Sequence, residues 1–336
     1  MSERPHKLFR TAKIGALIAG AALALAACSG PSADKPASTG SGGQVPAPSS
    51  SGTLRVAVVS HGTAGDAFWN VVKNGAEAAG KQLGVQVDYK SDGDPGAQAK
   101  LIDNAIAQRV DGLVVSMANP DALRTSIQNA VKAGIPVITI NSGEGRSAEF
   151  GALTHVGQSE TVAGEEAGKR LKAAGKTKLL CVIHEAGNIG QNQRCDGAKS
   201  SFGNVSTLQV DINNPTDAQS RIKGAVQSDP SVDAVLALNS QVAAGAVTAI
   251  KGAGSKAQVA TFDLNTDVVN AIKAGEILFA VDQQQYEQGY LPIVMLKLYN
   301  DNANTLGGGS PVLTGPGFVD KSNVDKVAEY AKRGTR

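Results

Sequence analysis

Polar side chains collect in this 336-residue sequence where short apolar runs end. Ser60 and His61 close the run Leu54–Ser60, and Asp66, Phe68 and Trp69 open the amphipathic stretch that follows. Asn141-Ser142 close a run that begins at Pro136. Farther along, the same position is held by His184-Glu185, Asn213-Asn214, Asn239-Ser240, Asp263 and Asp282-Gln283. Amides and carboxylates are directional partners for hydroxyl groups. An aromatic face packs on the C–H face of a sugar ring, and Trp69 is the single tryptophan. Taken singly, each polar residue reads equally well as a helix N-cap or turn former, and Phe68 as core. Taken together, they point to capture of a small polar solute, a monosaccharide or polyol.

Other chemistries lack their residues. No G-x-G-x-x-G follows an apolar run, and neither a P-loop nor a G-x-S-x-G occurs. Of the four histidines, His6 lies in a leader, His61 and His184 fall where a cleft rim is expected, and His155 reads as structural. No nucleophile is spaced to a base, so neither an enzyme nor a cofactor is expected. Cys181 and Cys195 have no matching histidine pair, which argues against a metal site. A strand holding Cys181 and the following helix holding Cys195 would run side by side, which leaves a disulfide or two buried thiols open.

The elements that must position these residues alternate. Strand-like runs cover Leu54–Ser60, Val85–Tyr89, Gly112–Met117 and Pro136–Asn141. A second series covers Lys178–His184, Thr207–Ile212, Ala234–Asn239, Gln258–Phe262 and Ile277–Val281. Their near-continuous apolar character is that of parallel strands covered on both faces. Helical stretches lie between them, as over Phe68–Leu83, where Phe68, Val72, Ala76, Ala79 and Leu83 share one face. Such alternation gives α/β doubly wound sheets. Nine strands overfill one sheet, so the fold class expected is two Rossmann-like lobes, dividing near Thr154–Glu160. The tail Pro311–Asp320 reads as one more strand returning across the junction. In open α/β sheets ligands bind beyond the carboxyl ends of strands, which is where the polar set falls.

The first fifty residues belong to neither lobe. Arg4, Lys7, Arg10 and Lys13 precede an apolar run from Ile14 to Ala27. As a helix this run spans roughly 21 Å, short of the ~30 Å of a bilayer core, so residues 1–27 read as an export signal. Leu25-Ala26-Ala27-Cys28 resembles a bacterial lipobox, which makes Cys28 the lipidation site and the anchor to a membrane. Residues 28–52, rich in Gly, Ser, Pro and Ala, form a disordered tether reaching roughly 25–30 Å. Without its four-cation leader the chain is close to neutral and has no basic run, so no nucleic-acid partner is expected. The expected location is exported, either lipid-anchored to the outer face of the cell membrane or in the periplasm.

The residues also match a known series. Val58-Val59-Ser60, Phe68-Trp69, Asn74-Gly75-Ala76, Gly134-Ile135-Pro136-Val137-Ile138-Thr139, Asp233-Ala234-Val235 with Asn239, Thr261-Phe262-Asp263 and Ile272 to Gly275 occur in order. From about Leu54 to Asn300 the chain resembles the periplasmic ribose-binding protein family. The resemblance implies a type I periplasmic binding protein fold, with two lobes joined by a three-segment hinge. It places 53–158 plus 284–312 in one lobe and 159–283 plus 313–325 in the other. It implies the solute-binding component of an ABC importer, monomeric, with the permease and its ATPase as partners; a ligand-sensing module for a chemoreceptor or sensor kinase, binding a sugar, polyol or amino sugar, is the alternative. Carried over by position, ligand contacts fall on Ser60, Phe68, Trp69, Asn141, Asn239, Asp263 and Gln283, with Asp66 a looser match. A family arginine aligns with Asp196, Arg194 lies two residues earlier, and a family aromatic aligns near Asn213. Ribose binders have Asp-Arg where this chain has Asn141-Ser142, so the loss of guanidinium forks argues against ribose itself. The acidic lean of Asp66, Glu185, Asp196 and Asp263 suits a neutral polyol, another monosaccharide or an amino sugar.

Overall fold

The computed structural model describes residues 52–336. The expected signal over 1–27, the lipidated Cys28 and all of the expected tether except Gly52 lie outside the described residues.

Two six-stranded sheets carry the fold. The first takes β1 (Arg55–Ser60), β2 (Gln86–Ser91), β3 (Gly112–Ser116), β4 (Val137–Ile140) and β5 (Thr154–Gln158). The second takes β6 (Leu179–Ile183), β7 (Val205–Gln209), β8 (Ala234–Ala237), β9 (Gln258–Phe262) and β10 (Ile277–Asp282). β11 (Val312–Gly315) and β12 (Gly317–Asp320) complete one sheet each. The orders are β11-β5-β4-β3-β1-β2 and β12-β10-β9-β8-β6-β7, so the two lobes repeat one topology. Every pairing is parallel except β10 with β12.

Two features differ from the sequence reading. β5 occupies Thr154–Gln158, where only a division was expected, because His155, Gly157 and Gln158 disguise a fully buried strand. The expected return strand is two strands, parted at the cis Gly315-Pro316 bond. A proline has no N–H for a ladder, and β11 pairs with β5 of the first sheet. Residues 313–315 therefore belong with the first sheet and not with the second lobe, to which the family resemblance assigns 313–325.

The central strands of each sheet are buried on both faces because they are apolar along nearly their whole length, as β3, β4, β6 and β8 are. The edge strands β2 and β7 carry polar, partly exposed residues. Val56 and Val58 pack into one cluster with α1 (Ala67–Leu83), while Ala57 and Val59 face the cluster that holds Ile102 and Leu123. Leu180 and Val182 part from Leu179, Cys181 and Ile183 in the same way. The helices in chain order are α2 (Pro95–Ala107), α3 (Pro120–Lys132), the short α4 (Glu144–Ser147), α5 (Glu160–Ala173), α6 (Ile189–Phe202), α7 (Pro215–Ser228), α8 (Ser240–Ala253), α9 (Thr266–Ala274), α10 (Gln285–Asn302) and α11 (Val324–Lys332).

One helix pair in each lobe is packed backbone to backbone through glycine. A Cβ at Gly75 of α1 would strike the Tyr286 carbonyl of α10, and one at Gly289 would strike the Val72 carbonyl. In the second lobe, a Cβ at Gly164 of α5 would strike the Arg194 carbonyl of α6, and one at Gly197 the Thr161 carbonyl. A disulfide joins Cys181 of β6 to Cys195 of α6. The chain passes between the sheets three times, after β5, after β10 and between β11 and β12. These crossings are bonded together: Thr314 Oγ1 donates to the Gln283 carbonyl at 2.7 Å, and Gln288 Nε2 donates to it at 3.0 Å.

Candidate functional site

The carboxyl ends of the two sheets face each other across a narrow cavity of about 30 Å³. The first lobe supplies Asp66, Phe68 and Trp69 at the start of α1, His61 after β1 and Asn141 after β4. The second supplies His184 and Glu185 after β6, Asn188, Gln191 and Arg194 from the start of α6, Asn239 before α8, and Asp263 after β9. Gln283 enters from the second crossing.

Local structure explains why these residues point inward. Asn141 and Asp263 close corresponding strands and both adopt left-handed backbone, with φ of 62° and 70°. Asn and Asp tolerate that conformation better than most residues, and strained backbone of this kind gathers at functional sites. Asp66 and Asn239 are N-caps: Asp66 Oδ1 accepts from Phe68 N at 2.9 Å, and Asn239 Oδ1 from Gln241 N at 2.7 Å. Capping and lining therefore coexist in one side chain, because a cap's second polar atom remains free. Trp69 meets His61 and Phe68 edge to face at 4.6 and 5.0 Å between centroids. Its ring lies against the backbone of Gly62, where a Cβ would strike it.

One polar chain runs through the cavity wall. Glu160 holds Arg194 by two bonds, 2.6 Å to Nε and 2.7 Å to Nη2. Arg194 lies over the Phe262 ring at 4.5 Å and reaches Gln283 Oε1 at 3.3 Å. Gln283 Nε2 donates to Asp263 Oδ1 at 2.6 Å, and Asn141 Nδ2 donates to Gln283 Oε1 at 3.3 Å.

Burial sets the charges. It pushes the Asp263 carboxyl up to about 7, against the pull of Arg194 and the Gln283 amide. Asp66 rises to about 6 through burial and repulsion from Glu185, opposed by the backbone N–H groups of Phe68 and Trp69. Burial drives His184 down to about 4 and lowers His61, so both rings are neutral near pH 7. The tautomer of His184 follows from its neighbour. Gln191 Oε1 accepts from His184 N and Glu185 N, so its Nε2 is the donor to His184 Nε2 at 3.1 Å. The proton of His184 then sits on Nδ1, which has no partner among the described residues. Among the described residues no three His, Cys, Asp or Glu side chains are placed to hold a metal.

Of the eleven residues singled out in the sequence, eight line this cavity: Asp66, Phe68, Trp69, Asn141, Arg194, Asn239, Asp263 and Gln283. Three do not. Ser60 is buried behind it, with its hydroxyl 2.9 Å from Tyr89 Oη. Asp196 is exposed in an outer groove with Asn192 and Thr207. Two positions apart on a helix is about 200°, so once Arg194 faces inward Asp196 must face out. Asn213 lines a larger, outer cavity at the mouth, next to Asp211 and Asp92. Asn188, Gln191 and Leu238 were not anticipated. Asn188 carries an ordinary N-cap signal that nothing in the sequence separates from Asn214, which caps α7 away from the cavity.

The model of the periplasmic binding protein domain matches residues 56–303. The chain is 29% identical over 247 residues to the ribose import binding protein of Bacillus subtilis, covering 70% of this chain and 79% of that protein. It is 26% identical over 337 residues to the xylitol-binding protein of Mycolicibacterium smegmatis, covering 95% and 89%. A carbohydrate transporter from Acidothermus cellulolyticus 11B, solved in complex with myo-inositol, superposes with a TM-score of 0.84. That protein is 42% identical and covers 85% of this chain and all of its own.

Proposed function

From the premise that this chain belongs to the family of periplasmic binding protein domains, we propose that it captures a cyclic or linear polyol, with myo-inositol the first ligand to test. It is a solute-binding protein of the sugar-importer kind and not an enzyme. The observation that carries the polyol reading is the wall itself. Carboxylates and amides surround a single guanidinium, and the one tryptophan stands on the first-lobe side. A neutral ligand with hydroxyls around a ring meets donors and acceptors in every direction and brings no charge against Asp66, Glu185 and Asp263. An anionic sugar phosphate would meet them unfavourably.

Binding proceeds by closure. Solute enters between the lobes, the three crossings flex, and the closed form is delivered to a permease driven by its ATPase. The protein acts as a monomer, tethered by an acylated Cys28 to the outer face of the cell membrane. In a thermal-shift titration of the purified protein, myo-inositol should raise Tm more than ribose does. Asp263→Ala and Trp69→Ala should each abolish that rise while leaving a cooperative transition. An undiminished rise in both variants would show that the ligand binds elsewhere. Cys28→Ser should move the protein from the membrane fraction to the soluble exported fraction; retention on the membrane would rule out the acyl anchor.

A further inference from the structure

The strongest unexplained group is Glu160. It is 3% exposed, opens α5 immediately after the first crossing and does not line the cavity. A buried ion pair adds little to stability over apolar packing of the same shape, so its presence calls for another role. Its geometry supplies one. Arg194 has five N–H donors. Nε and one Nη2 hydrogen go to Glu160, the second Nη2 hydrogen to Gln283, and one Nη1 hydrogen to the Leu238 carbonyl at 3.3 Å. A single N–H, on Nη1, remains on a side chain that lines the cavity. Gln158 Nε2 in turn donates to Glu160 Oε2 at 2.9 Å, which anchors the carboxylate to the first crossing.

We propose that Glu160 is a positioning residue for specificity: by clamping Arg194 against Gln283 and Leu238 it leaves one directed donor, which reads one hydroxyl of the ligand. Because Glu160 follows the first crossing and Gln283 lies on the second, the same clamp ties that donor to the hinge. Closure therefore sets the donor's place. The inference rests on the polyol reading above, since a hydroxyl is what the donor would read.

The test uses the full chain, as wild type, Glu160→Gln, Glu160→Asp, Arg194→Gln and the Glu160→Gln/Arg194→Gln double variant. Binding of myo-inositol and of its single-deoxy analogues is followed by calorimetry. Glu160→Gln and Arg194→Gln should each weaken myo-inositol about tenfold, and the double variant should be no weaker than either. One deoxy analogue should bind the wild type weakly and Glu160→Gln equally weakly, because the hydroxyl that the clamp serves is already gone. Binding of myo-inositol to Glu160→Gln within about twofold of wild type would overturn the proposal. So would the same fractional loss for every analogue, the mark of general damage. Should Glu160→Gln fail to fold, Glu160→Asp keeps the charge and displaces the clamp, and must show the same selective loss. If the wild type ignores myo-inositol, the polyol reading fails alone. The Arg194 Nε–H, followed by NMR in the ligand-free protein, then decides: slow exchange lost in Glu160→Asp upholds the clamp, and equally fast exchange in both removes it.

Discussion

At the scale of single residues, the cavity works by holding polar atoms in states that water would not favour. Asp263 shows the cost. Its carboxyl titrates near 7 in the folded chain, against about 4 when unfolded. Between those values the folded form holds the extra proton, so this residue's contribution to stability is complete below pH 4 and is lost as pH rises through 7. Asp263→Asn, which fixes the neutral shape, should raise Tm of the ligand-free protein at pH 8 by about 2–4 °C per kcal/mol relieved and change it little at pH 4. Thermal melts across that range check the sign; a gain confined to acid pH would contradict it. Gly62 offers a second handle. Gly62→Ala should push the Trp69 ring out of the core, weaken ligand binding and cost about 1–3 kcal/mol, read as altered tryptophan fluorescence together with a lowered Tm. The sequence shows this tier well where a side chain ends a strand, as at Asn141 and Asp263. It shows it poorly on helices. Arg194 and Asp196 lie two apart, and only the helix phase, which no pattern of apolar residues on α6 fixes, decides which one faces in.

At the scale of elements, small residues and one covalent link hold the lobes' helices in place. Gly75 with Gly289, and Gly164 with Gly197, allow α1–α10 and α5–α6 to touch through their backbones. Gly289→Ala and Gly164→Ala should each cost about 1–3 kcal/mol in chemical denaturation, because the added methyl meets a carbonyl rather than a flexible side chain. Gly145→Ala, with open space around it, is the control that should change nothing. Replacing Cys181 and Cys195 together by alanine releases a short loop and should cost about 3 kcal/mol. Most strands are visible as apolar runs. β5 is not, because its polar residues are buried by partners from elsewhere: Thr139 Oγ1 lies 2.9 Å from His155 Nδ1, and Thr154 Oγ1 donates to the Ser310 carbonyl at 3.0 Å. Hydropathy cannot register a partner distant in sequence.

At the scale of the whole molecule, few bonds hold the lobes together away from the crossings. Ile189 N donates to the Ala118 carbonyl at 3.0 Å, and Ser142 Oγ to Asn188 Oδ1 at 3.2 Å. Ala67 N reaches Gln241 Oε1 at 3.4 Å, and His61 Nε2 lies 3.7 Å from Glu185. So thin a seam suits a closed form that the ligand must help to hold. Small-angle scattering should show the radius of gyration falling when myo-inositol is added. Ser142→Ala, which removes the bond to Asn188 without removing a cavity-lining side chain, should weaken affinity by shifting the free protein toward its open form. An unchanged radius at saturating ligand would mean that no closure occurs. The two-lobe plan is readable from strand count alone, whereas the exchange of β11 and β12 is not, since both are short and part at a proline.

That exchange bears on how the chain is made. A ribosome or a secretion pore delivers the polypeptide from one end, yet the first lobe waits for β11, which emerges only after nearly the whole second lobe has been synthesised. Until then the outer edge of β5 is an unpaired row of amides and carbonyls, open to any extended segment nearby. Nascent chains halted before residue 312 should therefore bind holding chaperones or clump, and those released after residue 320 should not.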